Sequence, residues 1–351
     1  MKQKIFLESD TLRRFLCLNF KSRLSYTDGK ILNCNSIDEL RERLTNTSGS
    51  GFTPINNFKG NFDGKNFEIQ NIYENISGNA GLFANAGGTI KNLKISGNII
   101  STDGYAGGIA SSLSETLNIS NCINYCNVTA NAEINTDLSN TNIYGTSGGI
   151  IGRVVGNIII NDCANEGEIY GTNEAGGMIG CAYVSKVTIL NCYNSGVING
   201  ENDVGGMIGW TLTASSMQIY NCYNIGEVSG VTAGGLIGNR GAGDKIEIKN
   251  CYDYAEIKGS KYQGEIIGFN WAYNTETSPM IENVFYTNQT VGAFGGFSNS
   301  ISTPIYCEDI SDNDLVNQLN NYVSSITEQN IPWRSWILGI DGYPVFEEAT
   351  L

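Results

Sequence analysis

One short word, a glycine pair followed by apolar residues, recurs along this chain and constrains its fold more than any other feature. It reads GGIA from Gly107, GGIIG from Gly148, GGMIG from Gly176 and Gly205, and GGLIG from Gly234. A worn copy, GEIIG, starts at Gly264, and GLF at Gly81 reads as the first. From Gly148 to Gly264 the spacings are 28, 29, 29 and 30 residues. Self-similarity at such a period marks a stacked-repeat architecture. The longer gap from Gly107 to Gly148 holds a polar insertion around Asn131 to Thr146, which reads as a loop leaving the stack.

A second block keeps a fixed offset: IKNLKISG from Ile90, ISNCINYC from Ile119, INDCANEG from Ile160, ILNCYNSG from Ile189, IYNCYNIG from Ile219, IKNCYDYA from Ile248 and IENVFYT from Ile281. Two residues before the isoleucine the side chain is mostly apolar (Leu117, Ile158, Val187, Met217, Ile246), which is the period-2 signature of a strand with one buried face. The alternation breaks at Asn92, Asn121, Asp162, Asn191, Asn221, Asn250 and Asn283, side chains that tolerate the left-handed conformation of a corner. A further strand runs to Ile169, Ile198, Val228 and Ile257 and ends at glycine. Three strands and three turns per period predict an all-β chain, a single-chain parallel right-handed β-helix (β-solenoid) of about 29 residues per coil. No coil buries its apolar face alone; the stack buries them jointly.

Composition agrees. Charged residues are 16% of the chain, with 43 Gly and only 5 Pro, which suits short strands punctuated by turns rather than a helical bundle or a disordered polymer. The net charge of −14 argues against nucleic acid and against an anionic membrane surface. Residues 1–30 run the other way, with seven basic side chains against three acidic ones, and read as a capping segment or a docking arm for a larger assembly. No apolar run approaches the length of about 18 residues that spans a membrane. Glu8, Asp10, Arg13 and Arg14 interrupt any export signal at the N-terminus, so none is expected.

Both ends of a solenoid have to be covered. SIDELRERL at 36–44 opens with a capping box and predicts a short helix; SDNDLVNQLNNYV at 311–323 places Leu315, Val316, Leu319 and Val323 on one helical face. With Trp333, Trp336 and GYPVF at 342–346, these segments are expected to plug the first and last coils. The division is then 1–50 as basic segment and capping helix, 51–300 as solenoid, and 301–351 as C-terminal helix and Trp/Gly-Tyr-Pro cap.

Cys122, Cys163, Cys192, Cys222 and Cys251 fall in one column, spaced by 41, 29, 30 and 29 residues. Leu93 heads that column and Val284 ends it, so it reads as an inward apolar site filled by free thiols. Disulfides between neighbouring coils stay open on geometry. Metal binding is poorly supported, with no His in the chain, and no cofactor is expected. The next column, Tyr193, Tyr223, Tyr252 and Phe285, points outward by alternation. It is the candidate ligand-binding surface, an aromatic platform for sugar rings or a partner protein; alternatively the rings only stiffen the sheet.

GGMIG at Gly176–Gly180 with ILNCYNSGVING at Ile189–Gly200 resembles the repeat of the GLUG-motif family of bacterial surface proteins. The lead-in from Phe52 to Tyr73 and the ending with Gly342-Tyr343-Pro344 resemble the opening and cap of such solenoids, so the likeness covers about residues 30–347. The resemblance implies a β-solenoid in adhesins and large exported proteins and carries no catalytic residues with it. It implies an extracellular or cell-surface location, or a virion-associated one, although neither leader nor anchor is read in these residues.

Chemistry is sparse. Hydrolysis of a glycoside needs paired carboxylates in a cleft, whereas the acids here come one per coil; Glu168, Glu227 and Glu256 form an outward, solvated column. Without His the commonest general base is missing. The expectation is therefore a non-catalytic binding or adhesion module for a glycan or protein receptor. The first alternative is a phage-tail or injection-particle protein docked through residues 1–30, and the second a carbohydrate-active β-helix enzyme.

Overall fold

The computed structural model describes residues 49–347 apart from 133–143, 213–215, 242–243, 272–277, 288–289, 297–304, 307–312 and 327–331. The repeats stack as the turns of a parallel β-solenoid. Ile90 pairs with Ile119, Ile119 with Ile160, and the register continues through Ile189, Ile219, Ile248 and Ile281. Phe62 opens the column one coil earlier. All seven isoleucines are at most 2% exposed, so this column is the spine of the core. The basic segment 1–30 and the helix expected at 36–44 lie outside the described residues.

One coil shows how the sequence bends. Its strands are Glu174–Gly176, Ile179–Tyr183, Lys186–Leu190, Tyr193–Asn194 and Ile198–Gly200. That makes five short strands where the pattern suggested three. The glycine pair causes one split, because the chain folds back so sharply that a Cβ on Gly176 would meet Ile179 O at 2.0 Å. The corner residues behave as expected. Asn92, Asn121, Asp162, Asn191, Asn221, Asn250 and Asn283 all have φ between 51° and 55°, a left-handed conformation that Asn tolerates better than most residues.

The second split comes from a feature the column reading passed over. Asn124, Asn165, Asn194, Asn224 and Asp253 form an inner ladder, each 0% exposed. Every asparagine amide donates to the Oδ1 of the next coil at 2.7–2.8 Å. It also donates to the carbonyl two residues ahead at 2.9–3.2 Å, which closes the local turn. The second glycine of each pair makes room for this ladder: a Cβ on Gly206 would lie 2.5 Å from Asn224 Cγ and 2.1 Å from Gly235 O. In the worn copy GEIIG that glycine is replaced by Glu265, which is buried close to Asp253 at the end of the ladder.

The cysteine column sits in the core between Leu93 and Val284, at 0–1% exposure, as the interchange of Leu, Cys and Val implied. Among the described residues the thiols are free, and burial pushes those of Cys122, Cys163, Cys192 and Cys222 well above their ordinary range. Each donates weakly to a backbone carbonyl, as Cys192 Sγ does to Leu190 O at 3.1 Å.

The C-terminal segment does not plug the last coil. The helix Asn313–Ser325 buries Leu315, Val316 and Leu319 against the outward aromatic column, and the hairpin of Trp336–Leu338 with Pro344–Phe346 continues back along that same face. It is a lateral strap. The outward rings supplied an apolar bed along the side of the stack, so the strap's apolar face is satisfied there.

Replacing Asn194 by Ala should leave Asn165 without its acceptor and Gly196 O without a donor inside the core. Loss of about 2–3 kcal/mol is expected in chemical denaturation; a change under about 0.5 kcal/mol would show that the ladder contributes little.

Candidate functional site

The outward column is a ring stack. Tyr193 and Tyr223 lie 5.0 Å apart at 6°, and Tyr223 and Tyr252 lie 5.1 Å apart at 8°; Phe285 pairs in register with Tyr252. Alternation had assigned these side chains away from the core correctly. Their expected exposure is corrected: Tyr223, Tyr252 and Phe285 are 4%, 0% and 1% exposed. The strap covers them. Trp336 lies 5.7 Å from the Tyr223 ring and 5.8 Å from that of Tyr252, Phe346 lies 5.4 Å from Tyr223, and the Tyr252 hydroxyl donates to Pro344 O. Tyr193 alone of the four remains half-buried, at the edge of the strap.

A polar latch runs beside the rings, built from the corner asparagines. Asn191 donates to Pro332 O at 2.7 Å and accepts from Arg334 N at 3.0 Å. Asn221 donates to Arg334 O at 3.0 Å and accepts the indole N–H of Trp336 at 2.7 Å. The two also bond to each other, since Asn221 donates to Asn191 Oδ1 at 2.8 Å. Read from the sequence these were corner residues only; the amides that make the turn also hold the strap.

Where the strap stops covering the ladder, a cleft of about 640 Å³ opens between them. Ile123, Tyr193 and Ile225 line it from the solenoid, and Arg334, Leu338 and Ile340 from the strap. Ile340 is fully exposed, and Ile337 and Leu338 are also exposed. The charged groups on its rim are mainly acidic. Glu166 Oε1 accepts from the Tyr193 hydroxyl at 2.6 Å, Asp341 comes from the hairpin turn, and Asp162 faces Arg334. Burial raises the Asp162 carboxyl above its ordinary value, and the Arg334 charge opposes that shift. The guanidinium itself lies 4.9 Å over the Phe346 ring and donates to Glu347 O.

The cleft thus offers aromatic rings from the ladder and the strap, aliphatic walls and a polar rim of carboxyl, amide, hydroxyl and guanidinium groups. The buried carboxylates lie elsewhere in the coils. Glu174 and Asp203 stack on neighbouring coils and are 2% and 6% exposed, and Glu174 accepts from the Thr146 hydroxyl. Burial raises the Glu174 carboxyl well above its ordinary range. Asp253 is raised by burial and then by the charge of Glu265. Glu227 and Glu256 are spanned by Lys258 at 2.9 and 3.0 Å on an exposed face, a solvated column as expected. Among the described residues no three His, Cys, Asp or Glu side chains stand together to hold a metal, and no helix is long and apolar enough to cross a membrane.

Comparison with known proteins bears on the fold. No family model matches the chain, and no curated protein matches it. Among solved structures, one described as a "putative immunoglobulin A1 protease from Bacteroides ovatus" is similar over 86% of this chain and 80% of that one, with a TM-score of 0.50 and 20% identity. What the two share is the fold.

The aromatic column was visible in the sequence, but its cover was not, because nothing local says where a distant hairpin docks. The inner ladder was visible in principle. NCIN, DCAN, NCYN, NCYN and NCYD each end in an amide or acid at a position whose parity sends it inward.

The buried acids make stability depend on pH. Burial raises Asp203 from 3.8 to about 6, against hydrogen bonds from Asn239 and Thr232. The folded chain therefore holds a proton that the unfolded chain releases, and this contribution, full below pH ~4, is lost as pH rises through 6. Relative to Asp203→Asn, the native chain should lose roughly 2 kcal/mol of unfolding free energy between pH 4 and pH 6. Parallel denaturation profiles for the two proteins would show that this carboxyl does not titrate differently on folding.

Proposed function

We propose that the chain is a non-catalytic binding module that presents the cleft between its aromatic ladder and its C-terminal strap to a glycan or protein ligand. The observation that carries this reading is Tyr193, the most exposed ring of the stack and a wall of the cleft, fixed in orientation by Tyr223 beneath it and by Glu166 at its hydroxyl. A rigid ring with one end apolar and the other polar gives contact area at small entropic cost. The resemblance to GLUG-motif surface proteins supports adhesion at a cell surface.

The name of the structural neighbour raises proteolysis as a second reading. Peptide hydrolysis needs an activated nucleophile or a metal-bound water. The chain has no His, and the described thiols are buried, six of them with raised proton affinity, which is opposite to activation. Those facts favour binding over catalysis.

A glycan array and a mucin-type glycoprotein serve as probes. Changing Tyr193 to Ser should abolish retention of whichever probe binds, while costing about 1 kcal/mol of stability through the lost stack. Tyr252→Ala, under the strap, should instead cost about 3 kcal/mol. Release of a shortened glycan or a cleaved polypeptide would overturn the non-catalytic reading, and retention unaffected by Tyr193→Ser would move the binding surface elsewhere.

A further inference from the structure

The strap's own contacts show how this face holds an extended chain. The strap advances two residues for each coil: Asn191 takes Pro332 O and Arg334 N, and Asn221 on the next coil takes Arg334 O and the Trp336 indole. In each case the corner Oδ1 accepts an N–H while the corner amide donates to a carbonyl. Two extended residues cover about 6.6 Å against a coil step of about 4.8 Å, so such a chain crosses the coils at a slant. The stripe of corners runs on past the first contact of the strap. Asp162 and then Asn121 stand on the two coils upstream of Asn191, in the same left-handed conformation, with φ of 52° and 51°. Both line the cleft. Asn121 is exposed, and its amide donates to Asn92 and Asn66 at 2.8 and 3.1 Å, but no described residue donates to its Oδ1. The acceptor that receives the strap at Asn191 and Asn221 is therefore open at Asn121.

Charge points to the same kind of occupant. Glu166 and Asp341 are exposed on the rim and form no ion pair with a described residue, whereas Glu227 and Glu256 share Lys258 on the open face. The rim's one cation, Arg334, is committed to the Phe346 ring and Glu347 O and faces Asp162. The geometry points to an extended polypeptide bearing a lysine or arginine side chain as the ligand of this cleft, laid end to end with the strap along the corner stripe. The inference rests on the binding reading above and narrows it. Alternate N–H groups of the ligand meet Asn121 Oδ1 and the Asp162 carboxyl, as the strap's N–H groups meet Asn191 and Asn221 further down the stack. An apolar side chain lies against the half-buried Ile123 and the exposed Leu338. The cationic side chain reaches Glu166 or Asp341, where a charge-assisted hydrogen bond is stronger than a neutral one.

A glycan fits these groups less well. Sugar hydroxyls satisfy the acceptors, but a neutral sugar leaves both carboxylates without a counter-charge, and an acidic sugar adds another anion beside them. A basic peptide meets both demands, and a chain of net charge −14 draws it in at long range.

The test selects a phage-displayed library of random twelve-residue peptides on the full chain and measures the enriched sequences as free, labelled peptides by fluorescence anisotropy. A glycan array is run beside it. The enriched peptides should carry at least one Lys or Arg, and changing that residue to Ala should weaken binding by about tenfold or more, as should high salt. The double variant Glu166→Gln with Asp341→Asn, two exposed positions, should lose a similar factor. Asn121→Gly keeps the left-handed backbone accessible and removes the acceptor, and it should lose about fivefold or more. Peptides without a basic residue, or affinity undiminished in the double variant, overturn the inference. Undiminished affinity in a folded Asn121→Gly overturns the placement in line with the strap, and should that variant fail to fold the double variant decides. A glycan retained with no peptide enriched overturns the polypeptide ligand but leaves the binding module standing; retention of neither overturns both.

Discussion

In a stack of near-identical coils, each inward polar group meets copies of itself about one strand spacing above and below. Only a group that both donates and accepts satisfies such a column indefinitely. The carboxamide does so, and the inner ladder from Asn124 to Asn224 is the result. Each amide closes its own turn with one proton and reaches the next coil with another, so local geometry and stacking are enforced by the same group. Both members of the glycine pair follow from this: one permits the fold-back, the other clears space for the amide. The ladder terminates where Asp253 accepts the last amide beside Glu265, and burial with that neighbouring charge raises the Asp253 carboxyl well above its ordinary range.

The same logic appears on the outside. The corner asparagines bond from coil to coil, and two of them, Asn191 and Asn221, spend further hydrogen-bonding capacity on the strap. Beside them the tyrosines stack ring on ring and give the strap an apolar bed. Polar and apolar stripes thus run parallel along one face, and the strap reads both: Trp336 places its ring on the tyrosines while its indole N–H reaches Asn221. The cleft is what remains where this double match runs out.

Much of the fold was legible because the repeat exposes each column several times over. Seven corner residues read from the broken alternation adopt the left-handed conformation they were assigned. The cysteines could be placed in the core because Leu93 and Val284 share their column. Single copies carry no such redundancy, and the C-terminal segment occurs once. Its amphipathic helix was readable from Leu315, Val316 and Leu319, yet its docking surface depended on Phe285 and Tyr252, rings on separate coils far upstream in the chain. The candidate site was half legible for the same reason: Tyr193 was named, but Arg334, Leu338 and Ile340 reach it only through the strap.

The strap also bears on how a chain of this kind can change its length. Its contacts fall at fixed heights: Pro332 and Arg334 on Asn191, Trp336 on Asn221, Pro344 on Tyr252, and the helix over Tyr252 and Phe285. A whole repeat duplicated or lost within that span would shift these partners apart by a full rung and break the match. A repeat added upstream of Ala164 would shift none of them. The last four coils therefore act as a gauge block of set height, and growth or shrinkage by gene duplication is confined to the part of the column that the strap does not measure.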